Sequence, residues 1–261
     1  MTVRHDDLTV EWFGYATARL ETAEGLVAYV DPGRYGVLTG EWTPPGGGNP
    51  KEAAHPRATD HRPEDADLVC VTHDHHYDSD GVERVAGEDA TVVVYEGVDA
   101  GSIDRDLTPV DDLPFEVVRV GEEDHLSVAT PDGTVDVWSV PAYNEADGPH
   151  ADDDGSVPHP KGSGVGYRLV LGGTSAFWPG DSDALDAFAE LDVSLFLANI
   201  SGSVCMNADE AADLAERMDP DLVVPIHYNT LDFLEADSAG FAVDVARRSV
   251  PVALDERGPN Q

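Results

Sequence analysis

Cysteine, lysine and long apolar runs are what this sequence has least of. Its two cysteines, Cys70 and Cys205, cannot build a disulfide framework, and Cys70 sits in an apolar strand-like run, so a reducing cytoplasm is the expected setting. No run of about 18 apolar residues occurs, which leaves no candidate for a membrane-spanning helix. The opening "MTVRHDDLTVEWFG" has no apolar core of the kind a signal peptide needs. Lysine is reduced to Lys51 and Lys161, and 15 bases face 52 acids for a net charge of −37. A surface so negative is a poor partner for nucleic acid. It also destabilises a compact chain by self-repulsion, which salt relieves, since the Debye length shrinks to about 3 Å near 1 M.

The rest of the composition is ordinary. Hydrophobic residues make up 41% of the 261, and the acids are dispersed among apolar runs, which argues for a globular protein rather than a disordered one. We read a salt-adapted cytoplasmic protein, as in an extreme halophile, whose acidity reports habitat more than substrate. The length suits one α/β domain over residues 1–261.

Short β-type runs recur: "LTVEWF", "TARLET", "LVAYV", "LVCVT", "TVVVY", "FEVVRV", "VDVWSV", "YRLVL", "SAFW", "VSLFLA" and "LVVPI". Helical patterns fall between them. In "NADEAADLAERM", Asn207 caps, Glu210 completes a capping box, and Ala211, Leu214, Ala215 and Met218 form an apolar stripe. "DSAGFAVDVARRS", "DALDAFAEL" and "DGVERVAG" read as further helices, and together the elements predict a layered α/β or α+β sheet protein. Trp12, Trp138 and Trp178 read as core. Residues 43–67 and 144–164, rich in Pro, Gly and acids, are expected to be flexible loops.

Four β-type runs end in residues able to bind metal. "LVCVT" leads to His73 and His75, "VDVWSVPA" to Tyr143 and Asn144, "SAFWPG" to Asp181, and "LVVPI" to His227. Ligands of open sheets bind beyond the strand ends, so these loops could meet at one edge. In an extended segment His73 and His75 face one side, whereas His76 points the other way unless the chain turns. Imidazole with carboxylate suits zinc first, with manganese or iron as alternatives. Histidines 5, 55, 61, 125 and 150 have no such context and read as surface.

Taken in order, "VTHDHHYD", "PAYN", "HPKGSGVGY", "PGDSD", "SVCMNADEAA" and "PIHYNT" resemble the successive motifs of the metallo-β-lactamase superfamily. The branch they are most similar to is that of the ascorbate-6-phosphate lactonase-like metal-dependent hydrolases, and Asp31 falls where that branch's aspartate does. The resemblance implies an αββα sandwich with its site at one edge. It also implies hydrolysis of a small-molecule substrate by water activated on a metal ion. Departures accompany the matches. The superfamily loop runs Thr-His-x-His-x-Asp-His; here Tyr77 stands at the aspartate, and one inserted residue is needed for Asp78 to take its role, with Ser79 replacing the last histidine. After "PA" the expected histidine is replaced by Tyr143-Asn144.

What the resemblance then implies is one ion per chain, held by His73, His75, Asp181 and His227. Asp78 would orient the water or accept its proton, with Asp181 also at the reacting centre. Asn144, His159 and Lys161 would contact substrate, His159 being an alternative replacement for the missing histidine. A lactone or ester is the first expectation. A phosphodiesterase or nuclease activity is the runner-up, and a non-catalytic metal- or ligand-binding relative with a decayed second metal site is the rival from another class. A homo-oligomer stays open.

Overall fold

The computed structural model describes residues 2–33 and 61–256. Most of the first long loop (43–60) therefore lies outside the described residues, as does His55. Among the described residues there are two sheets, and the first has seven strands in sequential order: β1 (Val3–His5), β2 (Leu8–Trp12), β3 (Ala18–Thr22), β4 (Val27–Val30), β5 (Ala66–Val71), β6 (Ala86–Tyr95) and β7 (Glu116–Val120). It is antiparallel from β1 to β4 and parallel from β4 to β7. The second sheet has six strands: β8 (His125–Thr130), β9 (Gly133–Pro141), β10 (Val165–Leu171), β11 (Thr174–Trp178), β12 (Leu195–Asn199) and β13 (Leu222–Ile226). It too is mixed, antiparallel from β8 to β11 and parallel from β11 to β13.

Burial explains which sequence runs became central strands. Leu68 to Val71 of β5 and every residue of β12 and β13 are buried, as expected for parallel strands covered on both faces. Each such Val or Leu contributes about 1.5–3 kcal/mol on full burial. Among the described residues three helices complete the layers: α1 (Ser79–Val85), α2 (Ala208–Met218) and α3 (Ser238–Arg247). Helix α1 contacts β5, while α2 contacts β12 and packs on α3. The result is the helix–sheet–sheet–helix sandwich expected from the sequence.

The capping box of α2 is present, with Asn207 Oδ1 accepting from the amides of Asp209 and Glu210, and the Glu210 carboxylate accepting from Asn207 N. "DALDAFAEL" closes only as a 3₁₀ turn, Asp186–Glu190, because Leu185 supplies no side-chain cap and Phe188 alone of the turn is buried. Strands β1 and β8 escape a pattern reading because β1 has three residues and β8, at the sheet edge, buries only Val128. Trp138 is a correction. It faces outward from β9, half-buried, with the His125 ring stacked on it at 4.4 Å and the Arg168 guanidinium 4.7 Å away.

Candidate metal centre

Strands β4, β5, β9, β11, β12 and β13 all deliver their C-terminal ends to one edge of the sandwich, where the polar residues gather. Asp31 follows β4, Thr72 and His73 follow β5, Asn144 follows β9, Asp181 follows β11 and His227 follows β13. Glycine permits the approach of these loops. Gly180 has φ +65°, and Gly164 bridges to His73 so closely that a Cβ on it would lie 2.9 Å from the histidine's own Cβ. Left-handed backbone at non-glycine residues also concentrates here, at Tyr15, Asp31, His227 and Asn229. Such conformations persist where surrounding contacts over-determine them, characteristically at functional sites.

The histidine loop departs from the extended reading. After His73, whose backbone is fully extended, residues Asp74–His76 wind into a 3₁₀ turn. Residues i and i+3 eclipse in that geometry, so His76 swings in beside His73, and their rings lie 4.3 Å apart. His76 is 1% exposed and its Nε2 lies 3.5 Å from Asp181 Oδ1. The chain turns here, which is the case in which His76 does not point the other way. The extra residue is absorbed in the turn, and all three histidines reach the centre. His75 is exposed on the outer side, its Nδ1 2.9 Å from Nε2 of His159.

Asp181 lies at the middle. Its Oδ2 is 3.8 Å from Nε2 of both His73 and His159, and its Oδ1 is 3.5 Å from Nε2 of both His76 and His227. These separations exceed normal hydrogen-bond lengths. Ligand atoms each about 2.0–2.2 Å from a tetrahedral ion lie about 3.3–3.6 Å apart, so the spacing suits donors arranged to share ions. Among the described residues, three groups could hold a metal: His73, His75 and His159; His73, His76 and Asp181; and Asp181, Cys205 and His227.

A second ring of contacts orients the imidazoles. Asp31 Oδ2 lies 2.8 Å from His76 Nδ1 and accepts from Thr72 Oγ1 and Trp178 Nε1 at 2.8 and 2.6 Å. Burial pushes the Asp31 carboxyl up to about 6, against the pull of those hydrogen bonds. Thr72 Oγ1 lies 2.9 Å from His73 Nδ1, and His159 Nδ1 lies 3.2 Å from the Val204 carbonyl. Each of these three rings is thereby held by Nδ1 with Nε2 turned to Asp181, and at His76 the partner is a carboxylate, the arrangement that raises ligand basicity. Burial, then the neighbouring His75, push His159 down to about 4, keeping it in the neutral form that binds metal. The buried thiol of Cys205 is raised above its usual range by burial and by Asp181.

Other expected site residues lie elsewhere. Asp78, the residue before α1, is 1% exposed, belongs to none of the three donor groups, and pairs with Arg105 at 3.0 Å. Asn144 spends its amide on the fold. Nδ2 donates to Asp183 Oδ1 and the Val204 carbonyl, and Oδ1 accepts from the His159 amide, so Asn144 positions His159. Lys161 lines a separate groove, with its ammonium 5.6 Å from the Tyr143 ring. His5, His61 and His150, read as surface, are half-buried and bonded to Ser194, Tyr29 and Asp183 respectively. Among the described histidines of that set, only His125 is exposed as expected.

A cavity of about 150 Å³ opens onto the centre, lined by His75, His159, Asp181 and His227 together with Tyr15, Pro158, Val204 and Phe233. The Tyr15 ring meets His76 edge-on at 5.1 Å and His227 at 4.8 Å.

The profile of the β-lactamase superfamily domain matches residues 9–227, and the chain belongs to that superfamily. Within it, the chain is 30% identical over 258 residues to a UPF0173 metal-dependent hydrolase of Pyrococcus horikoshii, covering 94% of this chain and 95% of the relative. Its fold is similar to that of Igni18, a metallo hydrolase of Ignicoccus hospitalis, with a TM-score of 0.63 at 19% identity over 96% of each chain. The metallo-β-lactamase fold protein YhfI of Bacillus subtilis is also similar, with a TM-score of 0.61 at 13% identity, covering 97% of this chain and 98% of that one.

Proposed function

We propose that the chain is a two-metal hydrolase of small carboxylic esters or lactones. The observation that carries this reading is the placement of Asp181, each of whose carboxylate oxygens faces a different pair of histidines. One ion would be held by His73, His75 and His159 with Oδ2, the other by His76 and His227 with Oδ1. This donor set favours two ions over the single ion expected from the sequence. When bound, such ions lower the pKa of coordinated water to about 7 and polarise the oxygen of the scissile bond. Of the two carboxylates expected at the reacting centre, Asp181 lines the cavity and Asp78 does not, and with each of its oxygens facing a pair of histidines Asp181 would serve to hold the ions.

The chain's own groups also argue for the substrate class. Tyr15, Pro158, Val204 and Phe233 form an apolar wall, and no lysine or arginine lines the cavity among the described residues. A phosphodiester brings a negative charge that this wall and the surrounding acids do not compensate. An uncharged ester carbonyl meets no such penalty.

Elemental analysis of protein purified in high salt without chelator, paired with turnover on esters, lactones and phosphodiesters, tests the reading. We expect about two transition-metal ions per chain, and esters or lactones cleaved in preference to phosphodiesters. One ion at saturation would restore the single-site reading. Two ions with no turnover on a broad panel would favour a non-catalytic relative.

A further inference from the structure

The segment joining β12 to α2 carries a group that the histidine and aspartate set leaves out. Residues 201–207 fold back on themselves: Ser201 bridges Asn207, the Gly202 amide donates to the Met206 carbonyl, and the Met206 amide donates to the Ser182 carbonyl, one residue past Asp181. Gly202 makes the reversal with φ +70°, and a Cβ there would lie 2.9 Å from Asn207 Cβ. The fold-back turns Cys205 inward with no exposed surface. Its sulfur joins a carboxylate oxygen of Asp181 and a ring nitrogen of His227 in a set whose atoms all lie within 4.8 Å of one another. Ser201 Oγ, 3.1 Å from the sulfur, fixes it from behind.

Resting on the two-ion reading above, we propose that Cys205 is a sulfur ligand of the ion shared by Asp181 and His227. The two metal positions would then differ chemically. One would be held by imidazole and carboxylate alone, and the other would carry a soft donor as well. A zinc–sulfur bond of about 2.3 Å beside zinc–nitrogen bonds of about 2.1 Å needs each donor to move by less than about 1 Å from the observed spacing. A soft donor selects zinc or iron over manganese and magnesium at that position. The other cysteine offers no substitute, because Cys70 is buried within β5 and belongs to none of the donor groups.

Zinc-edge X-ray absorption on the intact protein decides the matter, with a phosphine as reductant so that no added thiol supplies sulfur. We expect a sulfur shell at about 2.3 Å in the wild type. It should be missing in Cys205→Ser, which keeps the side chain's size, and unchanged in Cys70→Ala. Cobalt-loaded protein should show a sulfur-to-cobalt charge-transfer band that Cys205→Ser loses while the ligand-field bands remain. A wild-type shell of nitrogen and oxygen only, with two zinc ions bound, overturns the sulfur ligand and leaves the two-metal centre standing. A sulfur shell that persists in Cys205→Ser overturns it as well. Failure to bind zinc at all would remove both readings.

Discussion

The second sheet borders two cavities of opposite character. The one at the metal centre measures about 150 Å³ and draws its polar atoms from loops at the ends of several strands. The other, about 620 Å³, lies over the outward face of β9 and β10, where Trp138, Tyr143, Lys161 and Arg168 meet Glu123, Glu190 and Asp192. Size favours the second and chemistry the first. The groove holds cations over aromatic rings and carboxylates nearby, but none of the donor groups able to hold an ion. Its residues come from the outward faces of β9 and β10 and from the turns beside them, whereas the donor groups gather beyond the C-terminal ends of strands, where ligands of open sheets bind. Convergence, not volume, marks where chemistry can occur.

The largest expected effect separates the two cavities outright. Asp181→Ala removes the carboxylate that faces four imidazoles, so metal content should fall to near zero at either position, as should hydrolysis. Lys161→Ala and Arg168→Ala, in the groove, should retain full metal content. Elemental analysis of the three variants reads this directly. Metal retained by Asp181→Ala, or lost from Lys161→Ala, would break the distinction.

A smaller effect is expected one layer back. Asp31 belongs to no donor group but holds His76 through Nδ1, so Asp31→Asn should leave a folded protein with weaker metal binding. Loss of such an orienting partner costs about 10–100-fold in affinity. Competition with a chelator of known affinity measures it, and the loss should fall on one ion of the two. Equal weakening of both ions would mean that Asp31 acts by supporting the whole edge rather than His76.

How much of this was legible in the sequence divides along the same line. Central strands were, because β5, β12 and β13 are continuous apolar runs and being buried on both faces is the only way to satisfy them. The strand-end positions of His73, Asp181 and His227 followed from those strands. His76 was not legible, because its direction depends on a 3₁₀ turn that no spacing rule announces. The place of His159, which the resemblance offered as a replacement for the missing histidine, is decided by tertiary contacts with Asn144 and Val204 rather than by any strand pattern. Asp78 shows the converse. Its position in the loop matched a motif, while the packing of Arg105 against it drew the carboxylate aside.

The smallest effect concerns protons, and it follows from the burial that separates the small cavity from the open groove. A histidine in an unfolded chain titrates near 6.5. In the fold His159 is held down to about 4 by burial and then by His75. Between those values the unfolded chain binds the extra proton, so this contribution is full above about pH 6.5 and is lost as pH falls towards 4. Asp31 acts oppositely. Held up to about 6 by burial, it binds its proton more readily in the folded state, and its contribution fades as pH rises through about 6. The two partly offset in the wild type, so a substitution is needed to separate them. His159→Gln removes the first and leaves the second. In metal-free protein at high salt, the wild type's stability measured against His159→Gln by chemical denaturation should be lower at pH 5 than at pH 7, by on the order of 1 kcal/mol. A difference that stays constant between the two pH values would mean that burial does not hold His159 neutral in the metal-free fold.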